Sequence, residues 1–207
     1  MIKTPLIILF LTSTLAFANN EIYLEQEGTT GTFDITQVGS ANKIGSSTDI
    51  STIAGDSSDF DISQLGNGNT LDIEYDGDQA DFDLYIEGNS NLQDLFITGD
   101  QNTVDSVFVG SGNLLTISKD DTTDEPSVIS QSQIKNFVTG GGNSIDLYLN
   151  DNVGAVSDIT IIGSSNAIDS IQEGGNLGLG HSSTVQIQGD NNILDLHQRA
   201  ETSTLDR

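Results

Sequence analysis

The chain has 207 residues, enough for one domain of ordinary size, and it contains 6% aromatic residues, no tryptophan and 22 glycines. This composition offers little material for a conventional globular core, but it suffices for a repeat protein in which each repeat contacts only its neighbours. The 31 acidic against 6 basic residues give a formal net charge of -25, which disfavours binding of nucleic acid and of anionic membrane headgroups. There is no cysteine, so the chain has neither a disulfide framework nor a thiol nucleophile.

Residues 1–18 have the pattern of a secretory signal peptide. Lys3 supplies the positive start, residues 6–11 form an apolar run, and Ala16-Phe17-Ala18 matches an A-x-A cleavage site. The apolar run is too short to span a bilayer. The mature chain is therefore expected to begin near Asn19, to be secreted, and not to span a membrane.

The rest of the chain repeats a turn followed by an alternating segment. Glycines at positions 55, 66, 77, 88, 99 and 110 are separated by 11 residues each time, which indicates a repeat architecture. After the turn at Gly77, apolar Phe82, Leu84 and Ile86 alternate with polar residues, as in a strand with one buried face. Two such units bring the chain back over its start. We therefore predict an all-β fold for residues 19–207, a β-solenoid of two stacked sheets with about 22 residues per coil.

Two further features follow from stacking the coils about 4.8 Å apart. Glycine and asparagine recur at equivalent positions, so they should form structural ladders in which the amides pair along the stack and the glycines permit a tight arc. These residues are Gly66, Gly88, Gly110, Asn69, Asn91 and Asn113. An acidic run with a proline interrupts the repeats at about 119–132, and it predicts an irregular insertion there.

Aspartates also recur at one position of the repeat, and the alternation predicts that they point away from the core. They are Asp34, Asp61, Asp72, Asp83, Asp94, Asp105, Asp146, Asp169 and Asp195. Asp59 and Asp61 should lie beside Asp81 and Asp83, which gives four carboxylates in one patch. Such a patch can bind Ca²⁺ weakly, or it can be a solvated acidic face that keeps monomers soluble. The solvated face is favoured, because the chain lacks the nonapeptide repeat of the calcium-binding β-rolls.

Catalysis is not expected, and no other cofactor is expected. The acids are periodic, so no pair of carboxylates is distinguished from the others as an acid and a base. The abundant serines are not accompanied by a G-x-S-x-G motif with triad partners. The chain is therefore interpreted as a structural or binding protein rather than an enzyme.

Aligned on glycine and asparagine, several units resemble the curlin repeat, Ser-x5-Gln-x-Gly-x2-Asn-x-Ala-x3-Gln, found in the subunits of curli fibres. The best match is Ser58-x5-Gln64-x-Gly66-x2-Asn69, and Gln37-x-Gly39-x2-Asn42 matches the central part. The chain departs from that pattern where larger apolar residues replace the alanine and many of the glutamines.

The resemblance implies a secreted structural subunit that self-associates into an extracellular amyloid fibre on the cell surface, with roles in biofilm matrix and adhesion. It also implies a nucleator subunit and a secretion channel as partners. A solenoid ends in open strands, and these can template the next chain unless they are capped. The alternative is a secreted β-solenoid adhesin that stays monomeric and could bind Ca²⁺ along its aspartate columns.

Overall fold

The computed structural model describes residues 8–13, 20–45, 48, 50–88, 91–99, 101–110, 112, 114–120, 133–151, 156–163, 165–174, 182–189 and 191–200. Every regular element within these ranges is a β-strand, which confirms the predicted all-β class. The strands are β1 Ile8–Ser13, β2 Glu21–Ile22, β3 Glu25–Glu27, β4 Thr32–Val38, β5 Lys43–Ile44, β6 Ser51–Ala54, β7 Asp59–Leu65, β8 Thr70–Asp76, β9 Asp81–Glu87, β10 Leu92–Thr98, β11 Thr103–Val109, β12 Leu114–Asp120, β13 Gln133–Thr139, β14 Ser144–Asp151, β15 Val156–Ile162, β16 Ala167–Gly174, β17 Ser182–Gln188 and β18 Ile193–Ala200.

Successive strands alternate between two parallel sheets. The first sheet has eight strands in the order β1-β4-β7-β9-β11-β13-β15-β17, and the second has ten, from β18 through β16, β14, β12, β10 and β8 to β5 and β2. In the second sheet, β3 pairs with β6, and β6 pairs with β8. The short strands β2 and β3 therefore lie end to end in the place of one long strand, and so do β5 and β6. The chain therefore winds into a β-solenoid of about six turns that recur roughly every 23 residues, as predicted.

The strands form because apolar residues alternate with polar ones at the period of the pleat. In β9, Phe82, Leu84 and Ile86 are buried, whereas Asp83 is exposed. In β10, Leu95 and Ile97 are buried and Asp94 is exposed. The inward side chains of both sheets meet in one continuous hydrophobic cluster, which is the narrow core that the sequence predicts.

Aromatic rings fill the core of the N-terminal coils. Phe60 stacks on Phe33 with ring centroids 4.7 Å apart and on Phe82 with centroids 4.2 Å apart, and the ring planes of both pairs are nearly parallel. Tyr75 of the opposite sheet contacts Phe60 and Phe82 edge-on. Stacked and edge-to-face rings add roughly 0.5–1.5 kcal/mol per pair beyond the burial of their surface.

The C-terminal coils bury polar side chains where the N-terminal coils bury rings. The strand register places Ser157 in the column that contains Phe82, two strands beyond Val104. Asn136 and Ser170 are also fully buried or nearly so. The amide atoms of Asn136 and the hydroxyls of Ser157 and Ser170 have no hydrogen-bond partner among the described residues. The core is thus less apolar toward β16.

Irregularities in the coil length lie where the sequence repeats are interrupted. Residues 45–50 separate β5 from β6, and the two strands together pair with the single strand β8. The insertion predicted at 119–132 begins later than expected, because residues 119 and 120 still belong to β12 and pair with β10 and β14. Residues 121–132 lie outside the described residues.

The segment Ile8–Ser13 falls inside the predicted signal peptide. As β1 it lies parallel to β4 at the edge of the first sheet, and its pairing runs from Ile8 with Thr32 to Ser13 with Gln37. The edge of β4 can therefore accept a parallel strand over most of its length. Cleavage after residue 18 remains a prediction, and it would expose this edge of β4.

Candidate functional site

The turn glycines mark the places where successive coils approach most closely. Gly66 and Gly88 have φ values of 154° and 155°, a region that side chains with a Cβ atom rarely adopt. A Cβ atom at Gly66 would overlap the carbonyl oxygen of Gly39, and one at Gly88 would overlap that of Gly66. Gly110 has a φ of 140° and stands in the same relation to Gly88. The glycine column thus permits both the tight arc and the close stacking of turns.

The asparagine column ties each turn to the next coil. The backbone N–H of Asn42 donates to Oδ1 of Asn69 at 3.3 Å, and that of Asn69 donates to Oδ1 of Asn91 at 3.0 Å. Nδ2 of Asn69 donates to the carbonyl of Gly66 in its own turn at 3.2 Å. The expectation that the amides pair with one another is therefore wrong for Asn69, whose amide joins the backbones of two coils. Asn113 lies outside the described residues.

Asn102 makes a link of the same kind on the opposite side of the solenoid, and the sequence reasoning missed it. The backbone N–H of Ala80 donates to Oδ1 of Asn102 at 2.8 Å, and Nδ2 of Asn102 donates to the carbonyl of Gly77 at 3.1 Å. The signal was present as the spacing from Gly99 to Asn102, which repeats the Gly-x-x-Asn turn of the other side. An asparagine side chain therefore joins backbone groups of neighbouring coils on this side as well, at the turn that ends in Asn102.

The polar residues of the curlin-like motif all point into the protein. Ser58, Gln64 and Asn69 of the best match are buried, as are Gln37 and Asn42 of the second match. The buried glutamines form their own column, because Nε2 of Gln64 donates to Oε1 of Gln37 at 2.8 Å and to the carbonyl of Thr70 at 3.0 Å. The motif residues therefore hold coil to coil and are not arranged to bind a ligand from solution.

The four aspartates of the predicted acidic patch lie side by side across β7 and β9. Asp59 pairs with Asp81 and Asp61 with Asp83, and all four are exposed. Asp105 of β11 continues the column on the far side of Asp83. Partial desolvation raises the pKa of Asp83, and the charges of Asp81, Asp105, Asp61 and Asp59 raise it further. The patch therefore resists full ionisation, and protons or cations would relieve the repulsion.

Asp72 departs from the expectation that all column aspartates are solvated. It is only 9% exposed, although it alternates with the core residues Leu71 and Ile73. The chain segment that begins at Gly45 lies against its backbone, and a Cβ atom at Gly45 would overlap the carbonyl oxygen of Asp72. Burial raises the pKa of Asp72, and the neighbouring charge of Asp94 raises it further. An acid that the repeat pattern places outside is thus buried beside Gly45, where β5 ends.

The acidic columns do not form a chelating site among the described residues. No group of three or more acidic or histidine side chains converges there on a position that would hold a metal ion. The aspartates of the patch instead point in parallel from the flat face of a sheet, one strand apart. Weak Ca²⁺ binding by Asp59, Asp61, Asp81 and Asp83 remains an untested prediction.

The two ends of the second sheet differ from its interior. Among the described residues, the strand β18 has a neighbour on one side only, and its core-facing Leu194 and Leu196 are 45% and 40% exposed. At the other end, β2 and β3 place Ile22 and Leu24 against the first coil, and these are 7% and 6% exposed. Each end offers the unpaired edge of a strand, and such edges template pairing with another chain.

Comparison of the chain with protein-family models, with curated proteins and with solved structures finds no match in any of the three. The described residues contain no helix with the length and apolarity that a membrane span requires. Fold and site geometry are therefore the observations from which a function can be argued.

Proposed function

We propose that the mature chain is a secreted structural subunit that polymerises by edge addition into a curli-like amyloid fibre at the cell surface. The observation that carries this proposal is the open end at β18. Its core-facing Leu194 and Leu196 are 45% and 40% exposed, and its backbone has no neighbour on one side within the part of the chain that the structure describes. A further coil of the same kind would cover both leucines and pair the strand.

The repetitive hydrogen bonding supports growth by the same contacts that hold the monomer together. The turn at Gly66 bonds to the next coil through its N–H and the carbonyl of Glu87 at 2.8 Å, and Gly88 does so through Val109 at 2.8 Å. Because every coil presents a similar ladder to its neighbour, pairing between molecules can copy pairing within them. The resemblance to the curlin repeat favours the same function.

The acidic surface favours thin fibres over amorphous aggregate. A net charge of -25 repels the side faces of two copies, and the aspartate columns lie on those faces. The ends of the solenoid present backbone donors and acceptors together with an apolar coil, so attraction is concentrated there. Polymerisation is therefore expected along the solenoid axis.

Electron microscopy and fibre diffraction of the purified chain test the proposal. The full chain and the chain without residues 1–18 should be incubated in parallel at moderate salt, because removal of β1 would expose the edge of β4. We expect unbranched fibres with a repeat of about 4.7–4.8 Å along the axis. If both forms remain monomeric for days at high concentration, the polymerisation proposal fails and the monomeric adhesin becomes the better hypothesis.

A matched pair of variants on β18 tests whether the open end is the growing surface. Leu196→Lys places a charge in the surface that the next coil would cover, whereas Ile193→Lys alters a side chain that is 68% exposed on the same strand. Leu196→Lys should slow fibre elongation by roughly tenfold or more, because a charge would have to be buried. Ile193→Lys should elongate at least as fast as the unmodified chain, and circular dichroism should show the same β content for both monomers.

A further inference from the structure

The ten-stranded sheet has two edges, and the residues at these edges occupy equivalent positions in the repeat. β2 and β3 form one end, and β18 forms the other. Followed from strand to strand, Ile22 shares a column with Leu194, and Gln26 shares one with Gln198. The same number of residues separates the members of both pairs, so residues 20–27 can lie along residues 192–199 without a bulge.

The two ends also match in which of their residues direct backbone groups toward the open side. The carbonyls of Ile22 and Leu24 accept from Gly45 and Thr52 inside the sheet, so the backbone groups of Tyr23 and Glu25 point to the open side. On β18 the N–H of Ile193 donates to Asn166 inside the sheet, so the backbone groups of Leu194 and Leu196 point to the open side. Neighbouring strands within the sheet pair through backbone groups that alternate in the same way along each strand.

Two side-chain columns can continue across such a contact. The backbone N–H of Asn166 donates to Oδ1 of Asn192 at 3.2 Å, and Asn20 occupies the next position of that column in a second copy. Nε2 of Gln198 donates to Oε1 of Gln172 at 2.8 Å, and Gln26 would be the next member of the glutamine column. The asparagine and glutamine columns of one molecule can therefore continue into those of the next molecule.

Charge fixes the partners and the direction of the contact. We propose, on the basis of the polymerisation proposed above, that β18 of one copy adds to the β2–β3 edge of a second copy in one register, which opposite charges select. In that register positions 193, 195, 197 and 199 lie opposite Glu21, Tyr23, Glu25 and Glu27. The sequence has a histidine at 197 and an arginine at 199, opposite two acids in a chain with few basic residues, and no acid lies opposite an acid.

The structure contains a precedent for such a pair at this edge. Lys43 of β5 lies opposite Glu21 of β2, and its Nζ is 2.9 Å from the Glu21 carboxylate. Glu25 and Glu27 are exposed, and an open groove of about 900 Å³ runs along β3, where Tyr23 and Ile50 are among its walls. His197 is exposed on its strand, and its Nε2 lies 3.0 Å from Oδ1 of Asp195 on the same strand. Two β2–β3 edges would place their glutamates close together, which disfavours contact between two such edges and favours head-to-tail growth.

Charge reversal on each edge tests this register. The variant E25K/E27K reverses the charges of two glutamates on the β2–β3 edge. The variant H197E/R199E replaces the two basic residues of β18 with acids. In the form of the chain that polymerises in the assay above, each variant alone should elongate about tenfold more slowly than the unmodified chain at low salt. An equimolar mixture should recover elongation to within about threefold, because every contact in an alternating fibre is again complementary.

The matched control is E74K/D76K, which makes the same change of charge in the same two columns on the interior strand β8. It should elongate at least as fast as the unmodified chain, since it reduces the net negative charge without touching an end. Equal slowing by the control, or a mixture as slow as its components, would overturn the register while fibres of the unmodified chain still supported the proposed function. Absence of fibres from the unmodified chain would instead remove the proposed function itself.

Discussion

In the coils from β4 to β9, one core column consists of stacked phenylalanine rings, whereas the same column holds Ser157 in β15. The backbone plan is the same in both regions, with parallel strands and glycine-asparagine turns. The turns and ladders therefore specify the coil, while the core determines how strongly each coil binds its neighbours. In a solenoid, stability is approximately a sum of such nearest-neighbour terms, so it should be graded along the axis.

The largest expected effect comes from breaking the aromatic stack. Phe60 is fully buried between Phe33 and Phe82, so Phe60→Ala should lower the free energy of unfolding by about 3–5 kcal/mol. Denaturant unfolding of the monomer measures this. Tyr85→Ala is the control, because Tyr85 is 37% exposed on the adjacent strand, and it should cost little. A loss below about 1 kcal/mol for Phe60→Ala would show that the stack does not stabilise the N-terminal coils.

Hydrogen exchange compares the two regions directly. Backbone amides of β7 to β11 should exchange roughly 10- to 100-fold more slowly than those of β13 to β16, because local opening is easier where the core is polar. The relevant polar groups are those of Asn136, Ser157 and Ser170, which lack hydrogen-bond partners among the described residues. Equal protection in the two regions would contradict a graded stability.

The sequence predicted the part of this arrangement that depends on local pattern. Leu84 and Leu95 face inward and Asp83 and Asp94 face outward, as the period-two alternation requires. The recurrence of glycine every 11 residues correctly predicted the stacking of turns. These features are repeated in each coil, so one alignment of the sequence on itself reveals them.

Features that depend on contacts between unlike segments could not be read in the same way. Asp72 is buried and its backbone lies against Gly45, and the pattern within β8 contains no sign of that contact. The role of Asn69 as a bridge between backbones needs the orientation of its amide, which the spacing does not give. The charge match between the end strands needs the register of the whole sheet.

Restoring an apolar core in the C-terminal coils should stabilise them. Asn136 is 2% exposed, and its amide atoms have no partner among the described residues, while Ile159 follows it in the same column. Asn136→Val should raise the free energy of unfolding by about 1 kcal/mol, because it removes a buried polar group that is not compensated. Denaturant unfolding and exchange in β13 to β16 measure the gain. A loss of stability would show that the amide has a role that the core does not reveal.

The smallest expected effect concerns the outer face of the N-terminal coils. The pKa of Asp83 is raised in the folded state by partial desolvation and by Asp81, Asp105, Asp61 and Asp59. The carboxyl group of Asp83 thus binds its proton more tightly in the folded chain than in the unfolded chain. This difference in pKa favours folding at low pH, and its contribution is lost as the pH rises through the folded-state pKa.

Asp83→Asn should therefore stabilise the monomer near neutral pH by up to about 1 kcal/mol, and the gain should vanish as the pH falls toward about 4. Thermal unfolding from pH 4 to 7 measures this window. Asp158→Asn is the control, because Asp158 pairs with Lys135 and Thr184 and faces no other acid. It should give no gain at neutral pH. If Asp83→Asn and Asp158→Asn behave alike, then the crowding of carboxylates across β7, β9 and β11 does not weaken the fold.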